Sequence, residues 1–360
     1  MTRESLVDEG WQETVELLGG EQFITQSALD TKAFVRPRGV KSATDLLRLT
    51  LAYCLGHVGM RATAAWAAIS GIADISDVAL LGRLRNTGDW LTQLVGRFFE
   101  LDEAQAAKGR LIRILDATAV AKAGVHDRKN NGLWRVHCSF NLRREQFDFV
   151  ELTDESEGEL IDRVPVVRGE IRIGDRIYLQ ADRIGRVLQQ GGDVLVRAAW
   201  NNARWLDKNG EPFGLIDFLK QSKNKALDVP VWLGRKEGPP LRMRLIALRK
   251  SEIAANEARR KIKQEAKAKG RQVREETLVA AGFIIVVTSL CKNEFSAEDI
   301  LKLYRMRWRI ELAFKRLKSL IGLRAPPVKD PRLAKPWILA HLLIALLAGP
   351  FIEEFGVSPS

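Results

Sequence analysis

Arg110-Leu111-Ile112-Arg113-Ile114-Leu115-Asp116 is the stretch at which the chain changes character. Upstream, apolar residues recur at helical spacing; from Lys108-Gly109 onward they fall into short runs and alternations. The run is apolar enough for a buried strand and ends on Asp116. Leu133 to Phe140 and Gln146 to Thr153 then alternate around a turn at Asn141 to Glu145, so three antiparallel strands are expected. Glu159 to Val164 suits a short helix. Arg176 to Ala181 suits a fourth strand ending on Asp182, Arg183 to Gln190 a helix, and Val194 to Ala198 a fifth strand.

Three antiparallel strands, helix, strand, helix, strand is the order of a ribonuclease H-like core, and the expected fold class is α/β with a mixed five-stranded sheet. Working outward, Thr44 to about Phe99 carries helical spacing through Leu46, Leu47, Leu55 and Ala64, with a break at Gly71 to Asp74 and a possible cap at Ser76 or Asp77. Residues 1–108 therefore read as an all-helical N-terminal domain that could bind DNA. Residues 109–200 form the first part of the core. Residues 201–290 read as a β-rich insertion, with strands at Val231 to Leu233, Leu241 to Leu248 and Phe283 to Ser289. The insertion also holds a charged helix from Glu252 to Arg274, with eight Lys or Arg, which reads as a solvated face. Residues 291–360 complete the core with helices.

The 360 residues are 46% hydrophobic, enough for a sizeable core, and 57 Lys plus Arg against 45 Asp plus Glu leave a net charge of +12. That balance favours a polyanionic partner. Cys54, Cys138 and Cys291 are too few and too far apart for a disulfide framework or a zinc cluster, which suggests a reducing cytoplasm. The start, Met1 to Ser5, lacks the apolar core of a signal peptide. Trp337 to Ile352 is apolar but short for a bilayer and interrupted by His341 and Gly349-Pro350, so a buried helix and no membrane contact are expected.

Two expected strands end in Asp, and a helix near the C-terminus offers a third acid. At about 100° per residue, Tyr304, Arg307, Glu311 and Lys318 share a sector of roughly 60°, apart from the apolar strip Ile310, Phe314, Leu317 and Ile321. A solvated Glu–Arg pair four apart is a common surface feature. Here Arg307, Lys315 and Lys318 crowd a single Glu, which suits a polyanion approached through a carboxylate-bound metal. Divalent ions that handle phosphate esters prefer such hard oxygen ligands, and converging acids are costly without one because each raises its neighbour's pKa.

Tyr304, Arg307, Glu311 and Lys318 match the Y-x2-R-x3-E-x6-K signature of DDE transposases of the insertion-sequence-four family, which the chain resembles over most of its length. Asp116-Ala117-Thr118 and Trp134-Arg135-Val136-His137 extend the likeness. The resemblance implies that Asp116, Asp182 and Glu311 bind magnesium or manganese as the catalytic triad. It further implies that Tyr304, Arg307, Lys318 and the nearby Lys315 contact double-stranded DNA at the element's ends, that Trp232 stacks a flipped base, and that a homodimer forms on DNA. It makes the chain a nucleoid-associated cytoplasmic enzyme that cuts at terminal inverted repeats and joins the 3′-hydroxyl ends to a target. One departure stands out: the family often continues its second Asp as Asp-Arg-Gly-aromatic, and here Asp182-Arg183 is followed by Ile184-Gly185.

Two other readings share the charge and the helices: a nuclease that does not join strands, and a helix-turn-helix DNA-binding protein whose downstream domain is not catalytic. His126 and His137 sit beside no nucleophile, with His137 expected inside the second strand. Gly191-Gly192 lacks the Lys and Ser or Thr of a phosphate loop.

Overall fold

The computed structural model describes residues 10–56, 58–97, 109–122, 132–143, 146–221, 226–307, 326 and 330–354. Glu311, Lys315, Lys318 and His126, singled out above, lie outside the described residues.

Among the described residues six helices come first: α1 (Trp11–Leu17), α2 (Gly20–Asp30), α3 (Ala43–Leu55), α4 (Met60–Ile69), α5 (Asp77–Leu84) and α6 (Gly88–Arg97). Side-chain oxygens start two of them, since Ser42 accepts from the Asp45 amide at 3.0 Å and Ser76 from the Ala79 amide at 3.3 Å. Seven residues, 70–76, separate α4 from α5, a longer connection than the three to four residues of a helix-turn-helix. The arginines of α5 hold structure together. Arg83 donates to the Arg36 carbonyl (2.7 Å) and lies over the Phe34 ring, and Arg85 pairs with Asp330 (2.8 Å).

Nine strands follow in one sheet of order β3-β2-β1-β4-β5-β9-β8-β7-β6. The first three, β1 (Ile112–Ala121), β2 (Leu133–Asn141) and β3 (Gln146–Asp154), are antiparallel; β4 (Ile171–Gly174) runs parallel to β1, helix α7 (Ala181–Gln189) follows it, and β5 (Asp193–Arg197) runs parallel to β4. Then come β6 (Trp205–Leu206), α8 (Leu215–Lys220), β7 (Leu227–Leu233), β8 (Leu241–Arg249), α9 (Glu252–Ala268), α10 (Glu275–Ala281), β9 (Phe283–Thr288), α11 (Ala297–Arg305) and α12 (Pro331–Glu354). The charged segment expected as a helix to Arg274 is broken at Gly270 (φ 61°), in the left-handed region glycine tolerates.

Four expectations need correction. β1 does not end on Asp116: β2 pairs with it as far as Ala121↔Leu133, while the β4 ladder stops at Ile114↔Ile173. Glu159 to Val164 forms turns rather than a helix, because Pro165 disfavours helical backbone before it and Arg172 binds the Ile161 carbonyl at 2.5 Å. The fourth strand is Ile171–Gly174, not Arg176 to Ala181, which instead forms a single 3-10 turn (Arg176–Tyr178) leading into α7. Finally, the strands of 201–290 do not stand apart from a five-stranded sheet. β9 pairs antiparallel with β5 (Val196↔Val287), covering an apolar edge that would otherwise be open to other chains.

Alternation along the strands divides the core into two layers. Ile114, Val136, Ile171, Ile173 and Leu195 face the N-terminal helices and α12, whose Trp337, Ile338, Leu339 and Leu343 are buried there. Leu115, Val194 and Val196 face the other way, onto Tyr178, Ile184, Val187, Leu215, Val231 and Leu245. No helix among the described residues is long and apolar enough to cross a membrane.

Candidate active site

The register of two parallel strands makes the site. Because Ile114 lies beside Ile173, Asp116 and Asp175 stand at matching positions two residues further on, where β4 has ended and β1 continues alone on that side. Each carboxylate is oriented locally. Asp116 Oδ1 accepts from the Ala117 amide (2.9 Å), and Asp175 Oδ1 accepts from the Ile177 amide (2.7 Å), capping the 3-10 turn. That turn folds Tyr178 back onto the strand end, where a Cβ on Gly174 would come within 2.9 Å of the ring. Gly174 is thus what allows the chain to stop and reverse beside the acids.

A third carboxylate feels the first two. Glu159 titrates above the ordinary glutamate range, first because it is largely buried; Arg135 at 3.7 Å works against that, and Asp116 and Asp175 add to it. The Tyr178 hydroxyl is pushed well up by burial and then by Glu159, Asp116 and Asp175. Cys138, opposite Asp116 on β2, is likewise raised by burial and by that carboxylate. Negative charge therefore gathers here, and its repulsion reaches every one of these neighbouring groups.

From α11 and the residues after it the C-terminal segment reaches the same place. Tyr304 is raised by burial; Arg307 and Arg197 pull it back, and Asp175 pushes it up again. Tyr304 of the sequence signature thus lies within electrostatic reach of Asp175, of Arg307 and of Arg197 at the end of β5. A capping box between Ser296 and Asp299 fixes the start of α11.

Asp182 sits elsewhere. In the first turn of α7 it accepts from the amides of Lys236 (3.4 Å) and Glu237 (3.1 Å) and from Arg235 Nε (3.4 Å), contacts that hold it below the usual carboxylate range, the Glu237 amide foremost. Arg235 also lies against Gly185, where a Cβ would meet its guanidinium at 2.9 Å. The Ile184-Gly185 that departs from the family pattern therefore makes room for a latch between α7 and the β7–β8 turn, and Ile184 itself is buried. Trp232 is partly exposed on β7, between Leu206 and Arg242 on the neighbouring strands, on the face opposite the buried Val231 and Leu233. His137 lies within β2, as expected, and its Nε2 is 2.8 Å from Thr153 Oγ1.

The sequence reading placed the second acid at Asp182, and Asp175 offers a competing match. Asp175-Arg176-Ile177-Tyr178 follows the Asp-Arg-Gly-aromatic order except at its third residue, and does so more closely than Asp182-Arg183-Ile184-Gly185. Among the described residues no three His, Cys, Asp or Glu side chains already stand as a metal cage. Asp116 and Asp175 do supply hard oxygen donors near enough for both to act on Glu159, which burial raises first and the two carboxylates raise further.

Fold and site together define an α/β enzyme with an acidic centre at the ends of parallel strands. Residues 107–347 match the transposase DDE domain, and the chain belongs to the DDE transposase family. It is 37% identical over 353 residues to the transposase InsL of insertion sequence element IS186A from Escherichia coli strain K12, covering 96% of this chain and 94% of that one. The transposase of insertion sequence element IS421 from Escherichia coli is 37% identical with the same coverage. Among solved structures, a piggyBac transposase synaptic complex with hairpin DNA aligns over 96% of this chain and 76% of its own at 8% identity, with a TM-score of 0.45.

Proposed function

We propose that this enzyme is an insertion-sequence-four transposase with a ribonuclease H-like core, cutting DNA at the terminal inverted repeats of its own element and joining the 3′-hydroxyl ends to a target. The observation that carries the reading is that Asp116 and Asp175, beyond the end of the β1–β4 ladder, both act on Glu159 and Tyr178, with Asp175 also acting on Tyr304. β1 to β5, in the spatial order β3-β2-β1-β4-β5, support the core assignment.

In this reading Asp116 and Asp175, joined by Glu311, hold magnesium or manganese, and Asp175 takes the place that the sequence had suggested for Asp182. A divalent ion bound there would polarise a phosphate oxygen as a Lewis acid. The protein's own groups do the positioning. Tyr304 and Arg307, with Lys315 and Lys318, grip the DNA strand next to the cleaved phosphate, and Arg197 adds positive charge on the same side. Tyr178 and Gly174 keep Asp175 turned toward Asp116. Trp232 offers an aromatic face for an unstacked base, and two copies assemble on a pair of DNA ends.

Purified protein incubated with magnesium and DNA bearing the element's ends is expected to nick at the ends and to give strand-transfer products. Asp116→Ala and Glu311→Ala should abolish both while leaving end binding intact. Nicking that persists in either variant would overturn the assignment of the metal-binding acids. Nicking without joined products would reduce the enzyme to a nuclease.

A further inference from the structure

Helix α9 separates its charges by face. At about 100° per residue, Arg259, Arg260, Lys263 and Lys267 fall within roughly 100° of one another, and from Asn256 onward no acid enters that sector. Glu257 and Glu265 lie on other sides, as do Lys261 and Lys269, and Lys261 is paired with Glu257 at 2.9 Å. Asn256 and Gln264 join the four cations in lining a shallow open depression of about 420 Å³. A solvated helix that merely needs solubility gains most from mixed signs at i,i+4 spacing. Here the signs are sorted instead.

The sheet places this helix at the acidic edge. β9 begins at Phe283, three residues beyond the pairing of Val286 with Arg197, and Arg197 closes the strand next to β4 and Asp175. The α9–α10 hairpin enters β9 directly and is tied down at its root. The Lys250 amide donates to the Gly282 carbonyl (2.8 Å), Lys250 Nζ to the Ala281 carbonyl (2.8 Å), and Arg259 Nε to the Leu278 carbonyl (3.1 Å). Lys250 titrates below its ordinary value through burial, helped by Arg197 and Arg259, so these three cations are close neighbours. Arg197 and Arg259 thus both lie within electrostatic reach of Lys250, and Arg197 and Arg307 both within reach of Tyr304.

We propose that the Arg259–Lys267 face of α9 is a docking surface for the backbone of double-stranded DNA, carrying the duplex away from the phosphate held at Asp116 and Asp175. Successive cations four residues apart advance about 6 Å along the helix, a spacing that lets neighbouring side chains reach separate phosphates, which follow one another every 3.4 Å of duplex axis on each strand. The surface reads no bases, so it suits DNA of varied sequence. The inference rests on the transposase reading only in taking DNA as the polyanion.

The test compares two double variants of equal charge on the same helix, with a labelled 40-base-pair duplex of arbitrary sequence as the probe. Lys263→Gln/Lys267→Gln should lower the slope of log affinity against log salt by about 1.8, at about 0.9 for each phosphate no longer neutralised. Lys261→Gln/Lys269→Gln, from the other sides, should leave it unchanged. Circular dichroism checks that both retain their helix content. Equal slopes in the two variants, whether both lowered or both unchanged, would overturn the proposal. Nicking of end-bearing DNA by the same wild-type preparation reports separately on the catalytic assignment, which can fail while the slope difference stands.

Discussion

Two groups of charges lie a few residues apart along β1 and β4 and in the segments that flank them, and the structure treats them in opposite ways. In one group Arg113 pairs with Asp148 at 2.7 Å and Glu170 at 2.9 Å, and Arg172 pairs with Glu170 at 2.6 Å, all four side chains no more than 4% exposed. Spare guanidinium donors reach the carbonyls of Pro165 and Ile161. Two cations meet two anions, and the quartet is neutral. In the other group Asp116 and Asp175 both push on Glu159, whose pairing with Arg135, at 3.7 Å, is long. Burying charge in balanced, hydrogen-bonded pairs anchors a fold; crowding like charges destabilises it until something positive arrives. That difference, more than the presence of acids, separates the anchoring group from the proposed site.

The contrast can be broken most sharply at Asp175. Asp175→Asn should cut the rate of metal-dependent nicking by about 10³-fold, the scale of losing one group that stabilises developing charge. It should also raise the thermal midpoint of the metal-free protein, because a repelling charge has gone. Asp182→Asn should nick at the wild-type rate. The reverse pattern, activity lost with Asp182 and kept with Asp175, would return the second acid to the position first read from the sequence.

On the balanced side the effect should fall on stability. Glu170→Gln removes the carboxylate shared by Arg113 and Arg172 and leaves excess positive charge with both buried, a loss of about 3–5 kcal/mol for breaking a buried pair. Urea unfolding measures it. A loss under about 1 kcal/mol would mean that the quartet is not the anchor its geometry suggests.

Much of this was legible in advance, and what was not had physical reasons. Strands β2 and β3 follow from alternation, β5 and β9 were also read as strands, and the start of α5 follows from the Ser76 cap. β4 was misplaced because Ile177 and Leu179 alternate as well as Ile171 and Ile173 do, and only the Asp175 cap with the close approach of Tyr178 to Gly174 decides between them. That shift of one short strand is why Asp182, and not Asp175, looked like the acid at a strand end. The pairing of β5 with β9 leaves no local trace, since it joins segments far apart in the chain. The burial of Arg113 and Arg172 was not legible, because a sequence does not show which carboxylate will meet a guanidinium in the core.

His137 sharpens the comparison from the quartet's side of β2. Burial first, then Arg163 and Arg135, lower its pKa from 6.5 to about 4. The imidazole is therefore neutral in the folded protein over a range in which the unfolded chain binds a proton. Between pH 6.5 and about 4 the unfolded state holds more protons, so stability rises with pH across that window and falls on acidification, by about 3 kcal/mol over the full span. His137→Gln should flatten this part of the urea-midpoint profile. An unchanged slope in the variant would assign the acid sensitivity to other groups.

The smallest effect concerns Asp182, which ties α7 to the β7–β8 turn. Its carboxylate collects two amides and a guanidinium of the β7–β8 turn, and that turn carries two tryptic sites, Arg235 and Lys236. Asp182→Ala should leave the sheet and the acid pair in place while freeing the turn, so that limited trypsin cleaves after Arg235 or Lys236 several-fold faster than in wild type. Gly185→Ala should do the same by a different route, because the new methyl would displace the Arg235 guanidinium from its seat. If both variants resist trypsin as the wild type does, the turn is held by its strands alone, and Asp182 regains its claim to a place beside Asp116.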